Sequence, residues 1–248
     1  MNRIARQILQ YINNTNRKTK QLSLSRTLKK EVETGANGTQ DYVIKKGEFI
    51  GDFESMYKDC EDPWHQSTMD NVYNSRMIII KNWIKKFNNS HKVQVCEIGC
   101  GFGYITSDLN NNGVSCIGVD ISSTAIKKAR SLHSSCEFAV AEFDDFKFYK
   151  QKNINIFMMT EVTWYVLPKL KTFIEKLKEY SNNYGKPIYL IHLLTTYPEG
   201  VQQYGKNYFF DLKGILKFFE LDYIEYGSLG AGQDYKNQSR GTYFIAKI

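Results

Sequence analysis

From residue 93 onward, short apolar runs alternate with stretches of helical period. The runs at 93–98, 115–120, 136–140, 154–160, 187–193, 219–226 and 242–247 are rich in β-branched and aromatic residues, which predicts buried strands. Between them, 103–111, 122–132, 168–181 and 208–218 read as helices. Ser122 and Ser123 suit the N-cap of the second helix, and Pro168 suits the first turn of the third. This alternation predicts a Rossmann-like, doubly wound α/β fold with a seven-stranded, mostly parallel sheet. A loop, not a helix, joins the last two strands, so they are expected to pair antiparallel.

Upstream the pattern changes. Residues 70–87 predict one long helix with Met77, Ile78, Ile80, Trp83, Ile84 and Phe87 on its apolar face. Residues 41–66 supply an aromatic surface, including Tyr42, Phe49, Phe53, Tyr57 and Trp64. Residues 1–40 hold two helix-like stretches, 4–12 and 22–32, around a polar break. The chain therefore divides into a basic N-terminal helical arm, 1–40, and one domain, 41–248, whose first part, 41–90, forms a lid.

Composition narrows the function classes. At 248 residues, 42% hydrophobic and 24% charged, the chain accommodates one α/β core plus an appendage. The five cysteines are odd in number and include no C-x-x-C pair, so they read as reduced thiols of a cytoplasmic protein. The four histidines are scattered, and no metal site is expected. No apolar run approaches the ~20 residues that span a bilayer, and the N-terminus has no signal-peptide core. The net charge of +7 is uneven: Arg3, Arg6, Arg17, Lys18, Lys20, Arg26, Lys29 and Lys30 face only Glu31 and Glu33 in the arm. A solvated leader is the favoured reading over a nucleic-acid footprint.

The chemistry centres on residues 93–103, VQVCEIGCGFG, which read as strand, glycine turn and helix start. Residues without Cβ let the backbone turn sharply and approach a ligand. Asp120 ends the next predicted strand, at the spacing of a ribose-binding carboxylate. A dinucleotide fingerprint places its third glycine three positions after the second. Here that position is Tyr104. Glu97, just before the turn, would repel a pyrophosphate but tolerates a ligand with an ammonium group. The pattern E-x-G-x-G-x-G resembles motif I of the class I S-adenosylmethionine-dependent methyltransferases. The resemblance implies that fold, with its closing antiparallel hairpin, and S-adenosylmethionine as cofactor, with S-adenosylhomocysteine as product. It places Glu97, Gly99, Cys100 and Gly101 beside the cofactor's amino-acid part and Asp120 and Ile121 at the ribose. It places Glu142 and Phe143 at the adenine, with Asp144 and Asp145 as alternative carboxylates. It also places Glu161, after the fourth strand, at the methyl end.

A wider tract is similar to the nodulation protein S type of methyltransferase, which methylates the amino group of a chito-oligosaccharide. That tract comprises Tyr57, Asp62-Pro63-Trp64, the helix start through Arg76, and Glu161-Val162-Thr163-Trp164-Tyr165. It continues with Leu190-Ile191-His192 and Tyr197-Pro198. The similarity implies a small-molecule acceptor, sugar-like, methylated on O or N in glycan biosynthesis. Tyr57, Trp64, Arg76, Trp164, Tyr165 and Tyr197 become lid or substrate residues. His192, ending the fifth predicted strand at the same sheet edge as Glu161, reads either as a general base with a pKa near neutrality or as a hydrogen-bonded structural histidine, and Glu161 would orient the acceptor or hold the imidazolium. The D/N-P-P-Y motif of enzymes that methylate amino groups of DNA bases or glutamine is absent, which argues against base N-methylation. Two other classes stay open: an RNA or protein methyltransferase gripping through the basic arm, and a non-catalytic Rossmann protein that would bind NADH.

Overall fold

The computed structural model describes residues 37–68, 71–90, 92–197, 201, 204–229 and 239–248. Nearly all of the basic arm, including both helix-like stretches, and part of each polar loop after the fifth and sixth predicted strands lie outside them. Among the described residues, several short elements and one long helix precede the seven-stranded sheet. Helix α1 (Asn37–Asp41) leads into a hairpin of β1 (Ile44–Lys45) and β2 (Glu48–Phe49), then α2 (Phe53–Asp59) and the long α3 (Asn71–Ser90). The alternating part runs β3 (Val95–Ile98), α4 (Tyr104–Asn111), β4 (Cys116–Asp120), α5 (Ser123–Leu132), β5 (Glu137–Val140) and α6 (Phe146–Gln151). It continues with β6 (Ile156–Thr160), α7 (Leu167–Tyr184), β7 (Tyr189–Thr196), α8 (Leu212–Phe219), β8 (Asp222–Leu229) and β9 (Arg240–Lys247).

The seven strands β3 to β9 form one sheet in the order β5-β4-β3-β6-β7-β9-β8. Pairs from β5 through β7 are parallel, and β9 runs antiparallel to both β7 and β8. The chain steps outward from β3 in both directions, so the carboxyl ends of β3 and β6 flank a switch point, where open α/β sheets bind ligands.

Strand alternation builds two cores. Val95, Ile156, Met158, Ile191, Leu193, Tyr243 and Ile245 face α3 and α4. Their neighbours Cys96, Phe157, Met159, Leu190, Leu194 and Phe244 face α7 and α8. On α3, Met77, Ile80, Ile84 and Phe87 are buried, each contributing roughly 1.5–3 kcal/mol of burial. Ile78 departs from expectation: it is 61% exposed, because one residue past Met77 lies about 100° around the helix. Two further differences matter. Helix α6 was too short for a periodic signal; Asp145 caps it by accepting from Phe148 N at 3.0 Å. Strand β7 continues to Thr196, past its predicted end at residue 193, because its ladder with β9 continues to Thr196 and Arg240. Among the described residues no helix is long and apolar enough to cross a membrane.

The segment before α3 closes over the sheet's carboxyl edge. Val43, Met56 and Tyr57 pack on Phe102 and Ala125. Glu54 fixes the register of this packing. Its carboxylate accepts from Ser122 Oγ at 2.7 Å, Ser123 Oγ at 3.1 Å, Thr124 Oγ1 at 2.6 Å and Thr124 N at 3.3 Å. An acid at the start of α5 also meets the positive end of the helix dipole. The Thr124 and Ser122 hydroxyls lead in holding its pKa down at about 2. A carboxyl with a lowered folded pKa supports docking above its free value, ~4.3, and loses that support as pH falls through the folded value. Hydrogen-exchange protection of residues 42–60 is therefore expected to fall in the parent between about pH 4 and pH 2. Glu54→Gln should show weakened protection already at neutral pH and lack this acid limb.

Candidate active site

The loop between β3 and α4 follows from where its groups must go. Gly99 and Gly101 adopt φ of 71° and 53°, in the left-handed region. A Cβ on Gly99 would stand 2.7 Å from Val162 Cγ2, and one on Gly101 would stand 2.5 Å from Gln66 Oε1 and 2.8 Å from the Tyr57 hydroxyl. Both glycines thus keep a cradle open, one toward the loop after β6 and one toward the lid. Gln66, which sequence reasoning missed, clamps the cradle: its Oε1 accepts from Phe102 N at 2.8 Å and its Nε2 donates to Cys100 O at 3.3 Å. Its only sequence signal is the neighbouring turn, where Asp62 accepts from Gln66 N at 2.9 Å and Ser67 N at 3.0 Å.

Asp120 closes the loop from beneath. Its carboxylate accepts from Gly101 N and Ser122 N, each at 2.9 Å. Burial raises its pKa, and the backbone donors oppose the rise. An ionised carboxylate has about four lone-pair sites, so acceptor capacity remains for a diol. Glu97 is 1% exposed, and burial pushes its carboxyl up to about 8 against the opposing bond from Thr106 Oγ1. A buried carboxyl in that condition is relieved by a cation, as an amino-acid ammonium provides.

A cavity of about 720 Å³ opens over these groups. On the cofactor side it is lined by Glu97, Gly99, Asp120, Ile121, Glu142 and Phe143. The alternative carboxylates are engaged elsewhere: Asp144 pairs with Lys176 at 3.2 Å and Asp145 caps α6. Tyr57 and Trp64 of the lid, together with Arg76, Glu161, Trp164, Tyr165 and Tyr197, line it as well. Tyr165 packs against Phe53 and Trp64 with ring centres 5.4 and 5.5 Å away. Trp164 is both wall and core: it is 7% exposed and donates from Nε1 to Thr195 O at 3.0 Å.

Glu161 is held by three contacts. It takes a φ of 58°, unusual for a residue with a Cβ. Its Oε2 accepts from Thr195 N at 2.7 Å, and its Oε1 accepts from Thr195 Oγ1 at 2.9 Å and pairs with Arg76 Nη2 at 2.7 Å. Thr195 and Thr106 carried no signal in the sequence, because their partners lie many residues away.

Two sequence expectations need correction. Cys100 is fully buried among Ile126, Ala129 and Phe138, so only its backbone belongs to the loop. His192 does not face the cavity. Since β7 runs on to Thr196, His192 lies mid-strand, on the α7 and α8 face, with no exposure. Its ring stacks on Phe244 at 4.6 Å, and its Nε2 meets Thr163 Oγ1 at 2.7 Å. Burial, assisted by the nearby Arg76 charge, lowers its pKa to about 3. A buried neutral imidazole that cannot reach the acceptor is a structural residue, and the general-base role does not fit it.

Residues 95–185 match the family model described as a methyltransferase domain. No curated protein matches the chain significantly. Among solved structures, the N-methyltransferase NodS from Bradyrhizobium japonicum WM9, in complex with S-adenosylhomocysteine, shares 15% identity. The alignment covers 78% of this chain and 97% of that one, with a TM-score of 0.52. A SAM-dependent methyltransferase from Anabaena variabilis shares 13%, covering 83% and 98%, with a TM-score of 0.54. Magnesium protoporphyrin IX methyltransferase from Synechocystis, with bound S-adenosylhomocysteine, shares 14%, covering 79% and 95%, with a TM-score of 0.51. The fold is that of the class I methyltransferases. The methyltransferase domain over residues 95–185 makes this an enzyme of methyl transfer with S-adenosylmethionine as cofactor. The cradle and its acids fit that cofactor, which supplies an activated methyl on a sulfonium.

The site yields two expectations. In calorimetry S-adenosylhomocysteine should bind and NADH should not; Asp120→Ala should weaken binding by roughly 1–3 kcal/mol, the scale for a lost hydrogen bond to a charged group. Gly101→Val should abolish it, since even a Cβ overlaps the Gln66 amide. Independently, His192 should bind a proton only in the unfolded chain between about pH 3 and its free value, ~6.5, so the parent should gain stability as pH rises through that range. His192→Phe should lose that gain in urea midpoints compared at pH 5 and 7. A variant that instead folds, binds S-adenosylhomocysteine and loses a neutral limb from its rate profile would restore the base role.

Proposed function

We propose that the acceptor is a small molecule offering an O or N nucleophile and a flat or hydroxylated face, with a sugar derivative in glycan biosynthesis as the preferred class. The cavity volume falls in the small-molecule range of ~300–1,000 Å³. Its acceptor side is walled by aromatic rings, with Glu161 and the Tyr197 hydroxyl as polar groups. Rings stack on the faces of sugars, and hydroxyls and carboxylates bind their polar edges. Residues Glu97, Asp120, Glu142 and Phe143 belong to the cofactor half in this reading, and the lid from Tyr57 to Gln66 excludes water from both halves.

Glu161 carries the mechanism. Its left-handed backbone and three protein contacts fix the carboxylate at the end of β6, and strain of this kind concentrates at working residues. One lone-pair position remains to accept the acceptor's O–H or N–H and aim its lone pair along the methyl-transfer line. Alignment is the larger part of what such a transfer asks of the protein, because the methyl arrives activated. Glu161→Gln should lower turnover by about 10²–10⁴, the range for a positioned acid–base group, while S-adenosylhomocysteine affinity holds within a few-fold. The test is transfer of labelled methyl to a panel of sugars, amino sugars and sugar nucleotides; Glu161→Gln turning over like the parent would sink the assignment.

The basic arm favours a second acceptor class, RNA or protein. Deleting residues 1–36 and raising salt separates the two: small-molecule turnover should survive both, whereas a polyanion grip should fall steeply with salt.

A further inference from the structure

Arg76 is more buried than its charge alone can account for. It sits on α3 at 4% exposure and forms part of the cavity wall. Its Nη2 pairs with Glu161 Oε1 at 2.7 Å, yet Nε and Nη1 are buried and have no hydrogen-bond partner among the described residues. A guanidinium is an obligate donor, and each buried N–H left unpaired costs about 1–3 kcal/mol. The fold nonetheless makes room for the group. A Cβ on Gly241 would stand 3.0 Å from Arg76 Cζ and Nε, so the glycine on β9 lets the guanidinium lie against the strand. On β6, one strand (β7) removed from β9, Thr160 Oγ1 is a further buried polar atom without a partner among the described residues, and Thr160 also lines the cavity. It ends β6 on the face that packs on α3, in line with Ile156 and Met158.

The sheet order locates these orphan groups relative to the cofactor. Asp120 ends β4 and Gly99 follows β3, whereas Glu161 follows β6, Thr195 is on β7 and Gly241 on β9. With strands about 4.8 Å apart, Gly241 stands roughly 14 Å across the sheet from β3. Arg76 therefore spans the acceptor side. Among described cavity-lining residues the cations are Arg76 and Lys169, against the acids Glu97, Asp120, Glu142 and Glu161. An anion entering this half has Arg76 as its buried partner.

We propose that Arg76 is a specificity residue for the acceptor, and that the acceptor carries a carboxylate or phosphate group held by Arg76 Nε and Nη1 with the Thr160 hydroxyl beside them. This deepens the small-molecule reading and rests on it. Nη2 stays on Glu161, so one guanidinium ties the acceptor's anion to the carboxylate that aims its nucleophile. Charge-assisted bonds of this kind are the stronger class.

The test starts without knowledge of the acceptor. The full chain, saturated with S-adenosylhomocysteine, is titrated with inorganic phosphate and with glucuronate, and the Arg76 Nε–H resonance is followed by NMR. Saturable shifts are expected in the parent, with affinity about ten- to hundredfold weaker in Arg76→Gln, as for one lost charge-assisted bond, when binding is measured by calorimetry. Arg76→Lys, which keeps the charge, should recover part of it. In the labelled-methyl assay, phosphorylated or carboxylated sugars should outcompete their neutral counterparts, and Arg76→Gln should erase the preference. The proposal falls if neither anion shifts the parent's resonance, which would leave the orphan nitrogens to ordered water. It falls equally if Arg76→Gln leaves anion affinity unchanged and instead weakens S-adenosylhomocysteine tenfold, which would assign Arg76 to the cofactor's own carboxylate. Should Arg76→Gln not fold, the parent titration and Arg76→Lys decide. Failure of the parent to bind S-adenosylhomocysteine is a separate result and strikes the methyltransferase reading itself.

Discussion

The carboxylate of Asp120 is the joint on which the site is assembled. It ends β4, accepts the amide of Gly101 from the neighbouring loop and accepts the amide of Ser122 at the start of α5. One buried acid thereby sets the distance between the glycine turn and the second helix. Burial, with a smaller push from the Glu54 charge, raises its pKa, and the backbone donors around it oppose that rise. The same carboxylate that shapes the loop in the free protein is the one whose remaining lone pairs face the cavity. A change at residue 120 therefore disturbs both the loop and the lining of the cavity.

The lid repeats this economy from the other side. Glu54 caps α5 through the hydroxyls of Ser122, Ser123 and Thr124, and Gln66 grips the glycine turn through the amide of Phe102 and the carbonyl of Cys100. Neither contact is apolar. Each satisfies donors or acceptors that a turn or a helix start leaves unpaired. The lid is thus bonded to the glycine turn and to the start of α5, and its aromatic residues, Tyr57 and Trp64, are carried into the cavity by those anchors. The bond from Trp64 Nε1 to the Tyr57 hydroxyl, 3.1 Å, keeps the two as one wall.

Across the switch point the acceptor side has a different character. Its groups come from β6, β7 and β9 and from α3, and they converge on Glu161. Of the solved structures that share this fold, one is named for N-methylation and another for magnesium protoporphyrin IX. Such variety fits an arrangement in which the cofactor half is built on the sheet's centre and the acceptor half on loops and late strands.

Much of the glycine-turn side of the cavity was legible in the sequence, because its signals are local. Gly99, Gly101 and Glu97 stand within a few residues of each other, and Asp120 follows at the length of one βα unit. Alternation of strand and helix was equally local, and so was the loop-joined final pair. The acceptor half was not legible in the same way. Residues of β7 are buried on both faces, so nothing in YLIHLLTT marks where the strand stops or which face His192 takes. That was decided by β9, some fifty residues later, whose ladder carries β7 on to Thr196 and turns His192 into the core while bringing Thr195 to Glu161. Gln66, Glu54 and Arg76 were likewise placed by partners 34 to 85 residues away. Short-range pattern determines which elements form and where a backbone must turn. Which side chains meet across the sheet's edge depends on register and strand length, and only the packed tertiary structure sets those.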